Sequence, residues 1–453
     1  MTPQLTNKAH ARAILVLGLP LIGSHLAQML LHVSDMVMLG WYGVAELAAA
    51  VIATSSFFVI FILGAGFAQA VMPMVATAIG RGDDVQVRRD TRMGLWLSIA
   101  YGVVVYPLFW WSEPLLLGLG QKPEVAALGQ DFLRIAGLGM IPALLVMVLK
   151  SYLAALERTQ VVLWVTLAAV GVNIAVGWAL IFGNWGAPEL GVEGAAIASV
   201  VVQLLTAVVL AVYAARVQDL RRFRLFQRFW RPDWQALRQV FKLGMPIGLT
   251  SLAEGGMFEA SAIMMGWVGT VQLAAHGIAL QAAALTFMVH LGLSNATTVR
   301  TALASGAGDK AGVRRGGRVA IGLSMVFALA VVILFLAFPT PIISVFLDTA
   351  KPEAGQILAF GTSLLAVAAL FQFADSLQVM ALGLLRGVKD TRVPMWIAAL
   401  SYWGIGIPAS YLLAFKAGYG GVGLWLGLVI GLSVAAGLLM TRFWTKASNR
   451  STS

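Results

Sequence analysis

Apolar residues in this chain run together in long blocks, and short polar, mostly basic segments separate them. A membrane-crossing helix needs ~20 predominantly apolar residues. By that measure the pattern predicts twelve spans, at 13–39, 47–78, 93–112, 131–152, 160–183, 193–215, 241–266, 273–300, 317–346, 357–385, 394–416 and 421–443. The first block follows a polar, basic opening and is longer than the apolar core of a cleavable signal peptide, so it reads as a span. Blocks longer than about 25 residues must tilt, kink or protrude. Pro20, Pro73, Pro142, Pro246 and Pro339 are the expected kink or break sites.

Composition sharpens this reading. Of the 453 residues 59% are hydrophobic and 11% charged, against roughly 45–50% and 25% in a soluble domain. A soluble enzyme, a disordered chain and a secreted disulfide scaffold are excluded together. The absence of cysteine removes thiol nucleophiles, zinc–thiolate sites and iron–sulfur clusters. The net charge of +11 would suit nucleic acid, but the basic residues lie in short runs between spans. Of the 31 lysines and arginines, all but Lys122, Arg134, Lys351 and Lys416 fall at the termini or in the loops after even-numbered spans, counted with their helix ends. That asymmetry predicts a multi-pass membrane protein with both termini in the cytoplasm, and gives nucleic-acid binding no support.

The chain also repeats itself. One ungapped offset lays Leu17 to Ser98 on Leu243 to Ser324. Leu17-Gly18-Leu19-Pro20 falls on Leu243-Gly244-Met245-Pro246, Gly40-Trp41 on Gly266-Trp267, and Gly66 on Gly292. Gly82-Asp83 falls on Gly308-Asp309, and Arg88-Arg89 on Arg314-Arg315. Six spans followed by six similar spans insert the same way up. The predicted fold class is an all-α integral membrane protein, twelve transmembrane helices in two six-helix lobes related by a pseudo-two-fold axis along the membrane normal. The expected domains are an N-terminal lobe at 1–215, a basic cytoplasmic linker at 216–240, and a C-terminal lobe at 241–453 ending in a short cytoplasmic tail. Such a duplication suits a transporter, whose lobes rock about a midplane site. The metalloprotease motif His-Glu-x-x-His is absent, and the expectation is a protein that is not an enzyme and needs no cofactor.

Ionisable residues inside a membrane are costly, which makes each a functional candidate. Asp35 shares a stripe of the first span with His25, Gln28 and His32; at 100° per residue the four lie within an arc of about 80°. Lipid cannot satisfy such a stripe, so it should face protein or an aqueous cavity. In the seventh span Thr250, Glu254, Met257 and Ser261 make a matching stripe, and the repeat lays Gln28 on Glu254 and Asp35 on Ser261. The tenth span adds Asp375, with Gln372 and Ser376. Glu259 lies about 140° around the helix from Glu254 and is less suited to the same cavity. Met29, Met36, Met257, Met264 and Met265 offer soft, adaptable walls, and Phe258 and Phe371 offer faces for cation–π contact. Gln28, His32, Met257, Phe258, Ser261, Phe371 and Gln372 are therefore the candidate cavity residues beside Asp35, Glu254 and Asp375. Acids in a re-packable wall fit a promiscuous site for cations.

Gly18-Leu19-Pro20 with Ser34-Asp35 and Gly40, Gly244-Met245-Pro246 with Glu254 and Phe258, and the run Leu384-Leu385-Arg386-Gly387-Val388-Lys389-Asp390-Thr391 resemble the multidrug and toxic compound extrusion family, in its bacterial NorM-like branch. The resemblance implies a secondary antiporter in the bacterial inner membrane, exporting cationic drugs or toxins against sodium ions or protons, with Asp35, Glu254 and Asp375 essential. Nothing in the chain signals oligomerisation, and a monomer is expected. Some relatives with a sodium site in the N-terminal lobe carry Asn and Asp four apart in the fifth span and a Thr in the sixth. Here the Asn matches Asn173, the Asp position is Gly177, and the Thr is matched by Ser199. Where some sodium-coupled relatives have Tyr, this chain has Phe371. These departures remove sodium ligands and favour proton coupling through Asp35, with His32 as a candidate relay. A sodium site at Glu254 and Asp375 is the alternative.

Two rival readings make different demands. A flippase for lipid-linked saccharides would show intramembrane Arg or Lys around its pyrophosphate head groups, where this chain shows acids. A receptor would carry no flux. The loop Ile79-Gly80-Arg81-Gly82-Asp83-Asp84 also fails the Gly-x-x-x-Asp-Arg-x-Gly-Arg signature of major-facilitator carriers.

Overall fold

The computed structural model describes residues 6–347 and 352–449. Its helices are α1 (Asn7–Tyr42), α2 (Val44–Arg81), α3 (Asp84–Trp110), α4 (Glu113–Gly118), α5 (Pro123–Leu138), α6 (Met140–Ala155), α7 (Thr159–Phe182), α8 (Gly191–Arg216) and α9 (Gln218–Arg221). There follow α10 (Trp234–Val268), α11 (Thr270–Gly306), α12 (Lys310–Ala337), α13 (Pro339–Phe346), α14 (Ala354–Gly387), α15 (Arg392–Ala399), α16 (Ile407–Tyr411) and α17 (Gly420–Asn449). All twelve predicted spans fall on these helices.

Prolines explain where spans break. The fourth span is the bent pair α5 and α6, which meet at 44°. Pro142 opens α6, and its ring would clash with the carbonyl of Leu138, where α5 stops. Pro339 likewise starts α13 after α12 has ended. Pro408 lies between two π-helical runs, Leu400–Gly406 and Leu412–Lys416, which widen the eleventh span around the missing N–H. Pro20, Pro73 and Pro246, by contrast, sit inside unbroken helices. Among the described residues ten helical segments, and the bent pair as an eleventh, are long and apolar enough to cross a bilayer. The long helix α10 is not one of them. Thr250, Ser251, Glu254 and Glu259 dilute its apolar character.

The chain divides into two compact units, Gly23–Gly248 (the first) and Met1–Ile22 with Leu249–Ser453 (the second). It passes from one to the other inside helices, within α1 after Ile22 and within α10 after Gly248.

In the first unit α6 is packed by α2, α3, α5, α7 and α8. The opening half of α10 lies on α2, where Gly66 meets the backbone of Gly244 and Gly248 so closely that no Cβ would fit. The segment between α8 and α10 is strapped down. Phe223 is buried against Tyr152, Arg158 pairs with Asp219, and Trp96 Nε1 donates to the Phe229 carbonyl at 2.8 Å. Arg92 donates to the carbonyls of Gln227 and Arg228, and Arg89 forms a hydrogen-bonded ion pair with Asp233.

In the second unit α14 is the central helix, with α11, α12 and α17 against it. Its glycines let α11 approach: Thr298 donates to the Gly383 carbonyl at 2.9 Å and Ser294 to the Val379 carbonyl at 2.8 Å. Small residues and hydroxyls at such crossings are what hold helices together where no hydrophobic difference drives them. The sequence repeat is visible as equivalent parts. Gly82 and Gly308 both adopt left-handed φ, at 73° and 74°. Asp83 and Asp309 then cap α3 and α12 by accepting from the backbone N–H of Gln86 and Gly312. Gly292 receives Ile22 of α1 within this unit as Gly66 receives α10 within the other.

Candidate transport site

In the first unit Asp35 is only 7% exposed. The helices α7 and α8, packed on each other, present the two groups that hold it. Asn173 Nδ2 donates to one carboxylate oxygen at 2.6 Å, and Ser199 Oγ to the other at 3.2 Å. Asn173 itself is fully buried, and its Oδ1 has no hydrogen-bond partner among the described residues. No basic side chain pairs with Asp35 among them. The neighbouring space at Gly177 is filled: a Cβ there would lie 2.7 Å from the end of the Met38 side chain. The space beside Gly177 thus holds a thioether methyl. Of the other residues on the α1 stripe, His25 and Gln28 are half-buried and His32 is exposed. The structure brings Asn173 and Ser199 to Asp35, and gives no hydrogen bond from His32 to it.

The second unit gathers Glu254 of α10 with Asp375 and Gln378 of α14 and Tyr402 of the π-helical run. Asp375 is 2% exposed and lies within electrostatic reach of Glu254. Gln378, fully buried, donates to Tyr402 Oη at 2.5 Å and lies near Glu254. Arg386, three turns further along α14 than Asp375, also lies within electrostatic reach of Glu254 and Tyr402. Three acceptor oxygens here are buried with no donor among the described residues: Glu254 Oε1, Asp375 Oδ1 and Gln378 Oε1. Buried acceptor oxygens left without a hydrogen bond are the kind of group a hard cation or a proton would use. Among the described residues no group of three or more His, Asp or Glu side chains is placed to hold a metal ion.

Of the predicted cavity residues of this unit, several are already engaged. Ser261 is fully buried and donates to the Phe258 carbonyl of its own helix at 2.6 Å. The Gln372 carbonyl accepts from Thr286 at 3.1 Å. Met257 is core. Phe258 and Phe371 meet edge to face with centroids 6.0 Å apart, and Phe371 continues to Trp425 at 5.5 Å. Trp425 Nε1 donates to His276 Nδ1 at 3.0 Å. Glu259 is exposed, away from this group. A separate cavity of about 540 Å³ lies beside Gln272, Gln356 and Phe360, and no predicted site residue lines it.

Sequence reasoning missed Gln378, Tyr402 and Arg386 as parts of this centre. Gln378 follows Asp375 by three residues and so shares its helix face, a signal the stripe logic would have caught. Tyr402 comes from a helix whose polar positions carry no periodic mark.

A duplicated all-helical membrane protein with buried carboxylates in each unit is by class a transporter, not an enzyme. A family model described as MatE matches residues 20–179 and 246–412, one stretch in each half of the repeat. The chain is 49% identical to the probable multidrug resistance protein NorM of Rhizobium meliloti (strain 1021), over 96% of this chain and 93% of that one. It is 46% identical to the protein of the same description from Agrobacterium fabrum, over 96% and 94%. The chain belongs to the MatE family. Its fold is shared with a MATE protein crystallised in complex with MaL6, at a TM-score of 0.89 and 22% identity over 98% of both chains. It is also shared with the eukaryotic MATE transporter AtDTX14, at a TM-score of 0.85 and 20% identity over 98% of this chain and 99% of that one.

Proposed function

We propose that this protein is a multidrug efflux antiporter that exports amphipathic organic cations in exchange for protons, by alternating access of its two repeated halves. The observation that carries the reading is Asp35: a buried carboxylate held by two neutral donors and lacking a fixed counter-cation. Such a group takes either a proton or a substrate cation, and binding one excludes the other. A site that holds only one of the two at a time exchanges them. The names of the relatives, multidrug resistance proteins, support the substrate class.

Proton coupling is favoured by the neighbourhood of Asp35. Asn173 and Ser199 offer it donors, and Met38 fills the place of a further oxygen. The buried, unbonded acceptors of Glu254, Asp375 and Gln378 support a second cation-binding centre, where a sodium ion is the alternative coupling species. The distribution of basic residues supports an inner-membrane protein with cytoplasmic termini. The test is export of an organic cation from proteoliposomes by Asp35→Asn, Glu254→Gln and Asp375→Asn, each matched for inserted protein. Each should lose most of its export; wild-type export by all three would overturn the assignment.

A further inference from the structure

Residues 216–234, between α8 and α10, carry six arginines against two aspartates, with Phe226, Trp230 and Trp234 among them. Anchors along α3 fix the path of this stretch. Arg222 meets Asp84 at the start of that helix, Arg92 donates to the carbonyls of Gln227 and Arg228, and Trp96 donates to that of Phe229. Asp233 then returns to Arg89. From Asp84 to Trp96 is about 18 Å along a helix axis, and Trp96 lies in the first turn of the third span. The stretch therefore follows α3 to the edge of the apolar zone and turns back.

Its outer surface is both aromatic and basic. Trp230 and Trp234 are each 72% exposed and Phe226 is 37% exposed. All three lie outside the spans, where a bare ring in water is unfavourable and the membrane interface is the place that suits it. The two aspartates are taken, Asp219 by Arg158 and Asp233 by Arg89. Arg224, Arg228 and Arg231 are exposed, and no carboxylate pairs with them among the described residues. Arg224 and Arg228 hold left-handed φ, at 46° and 52°. Glycine takes that conformation more easily, so what arginine adds there is its guanidinium. Basic residues in a loop are by themselves a topology signal, but that signal requires neither a fixed path nor exposed aromatic rings. Fastened arginines interleaved with bare rings at the edge of a span fit the surface of an anionic bilayer.

We infer that the 216–234 segment is a docking surface for anionic phospholipid: Arg224, Arg228 and Arg231 receive the phosphate groups, and Phe226 and Trp230 seat in the head-group layer. A guanidinium is a planar fork of N–H donors that matches phosphate geometry, and basic clusters beside a span attract an anionic leaflet. The inference rests on the membrane reading of the fold and is independent of the transported substrate and the coupling ion.

The chain has no cysteine, so Gln227→Cys supplies a single labelling site at an exposed position of the loop. The full-length protein with a bimane there is placed in phosphatidylcholine nanodiscs containing a fixed fraction of spin-labelled lipid, either phosphatidylglycerol or phosphatidylcholine. Both faces of a nanodisc present the same lipids, so the outcome does not depend on orientation. Quenching by the anionic lipid should exceed that by the neutral one about threefold at low salt, the modest preference expected of a few surface arginines. Added salt should shrink the excess by screening. Arg224→Gln, Arg228→Gln and Arg231→Gln together should bring the ratio close to one while quenching by phosphatidylcholine persists, and Arg231→Gln alone should lower it part of the way. Equal quenching by the two lipids in the wild type, a preference that the substitutions leave intact, or no quenching by either lipid would overturn the docking surface. So would a preference abolished by inorganic phosphate at equal ionic strength, which would assign the arginines to a soluble anion. Export assays test the efflux reading separately, and it stands or falls without this result.

Discussion

A close backbone-to-backbone helix contact in the first unit makes a sharp prediction. Gly66 of α2 lies on the backbone of α10, and a Cβ added there would be 2.4 Å from the Gly248 nitrogen and 2.5 Å from the Gly244 oxygen. Neither atom is the end of a flexible side chain, so Gly66→Ala must push two helices apart by about 1 Å to reach ordinary contact distances. The same interface stacks Phe67 on Phe241 at a centroid distance of 5.4 Å. A gap of 0.5–1 Å forfeits about a quarter to a half of each contact it opens. Overpacking of this kind costs roughly 1–3 kcal/mol, against roughly 0.5–1 kcal/mol gained by replacing glycine in a helix. The built-in control is Gly171→Ala, an exposed position of α7 where a Cβ meets nothing within 4 Å. Thermal unfolding of the purified proteins in one detergent reads the difference. Gly66→Ala should melt well below wild type and Gly171→Ala at or slightly above it. Equal midpoints for the two variants would refute the close approach of α2 and α10.

Two further outcomes are expected. Asn173→Ala removes the 2.6 Å donor to Asp35, a bond to an ionised group worth about 1.5–3 kcal/mol, so cation exchange should fall at least about tenfold; unchanged exchange would show that Asp35 is not held this way. The Arg89 guanidinium, hydrogen-bonded to Asp233, holds that carboxyl below the usual range. Its contribution is therefore present above the unfolded value of about 3.9 and fades as pH falls through the lower folded value. Because the pair is partly exposed, Asp233→Asn should cost about 1 kcal/mol or less at neutral pH and nothing once both forms are protonated. A pH-independent difference between the two proteins would contradict the ion pair.

The architecture was legible because the membrane makes sequence speak plainly: apolar blocks give the spans, and the ungapped repeat gives two equivalent halves. Asn173 and Ser199 stand out in the sequence only through the family resemblance, and that they hold Asp35 is seen only in the structure, since no spacing in the chain links the first, fifth and sixth spans. Three features lay beyond periodicity. The break at Gly139 was expected at Pro142, but proline disturbs the turn before it, and the helix gives way there. The 216–233 segment reads as a basic loop, yet Phe223, Trp96 and Arg89 fasten it to the first unit through contacts no local pattern encodes. Tyr402 meets Gln378 from a π-helical run of the eleventh span, a departure from α-helical register that periodicity does not signal.

The central claim, exchange of an organic cation for protons, is tested most directly in proteoliposomes loaded with a fluorescent cation. Efflux is followed after a pH jump in sodium-free buffer and, separately, after a sodium jump at constant pH. The account predicts that the proton gradient alone drives export by the wild type and that Asp35→Asn abolishes the response. Export driven by sodium alone, with no response to the pH jump, would contradict proton coupling at Asp35 and move the coupling site to Glu254 and Asp375.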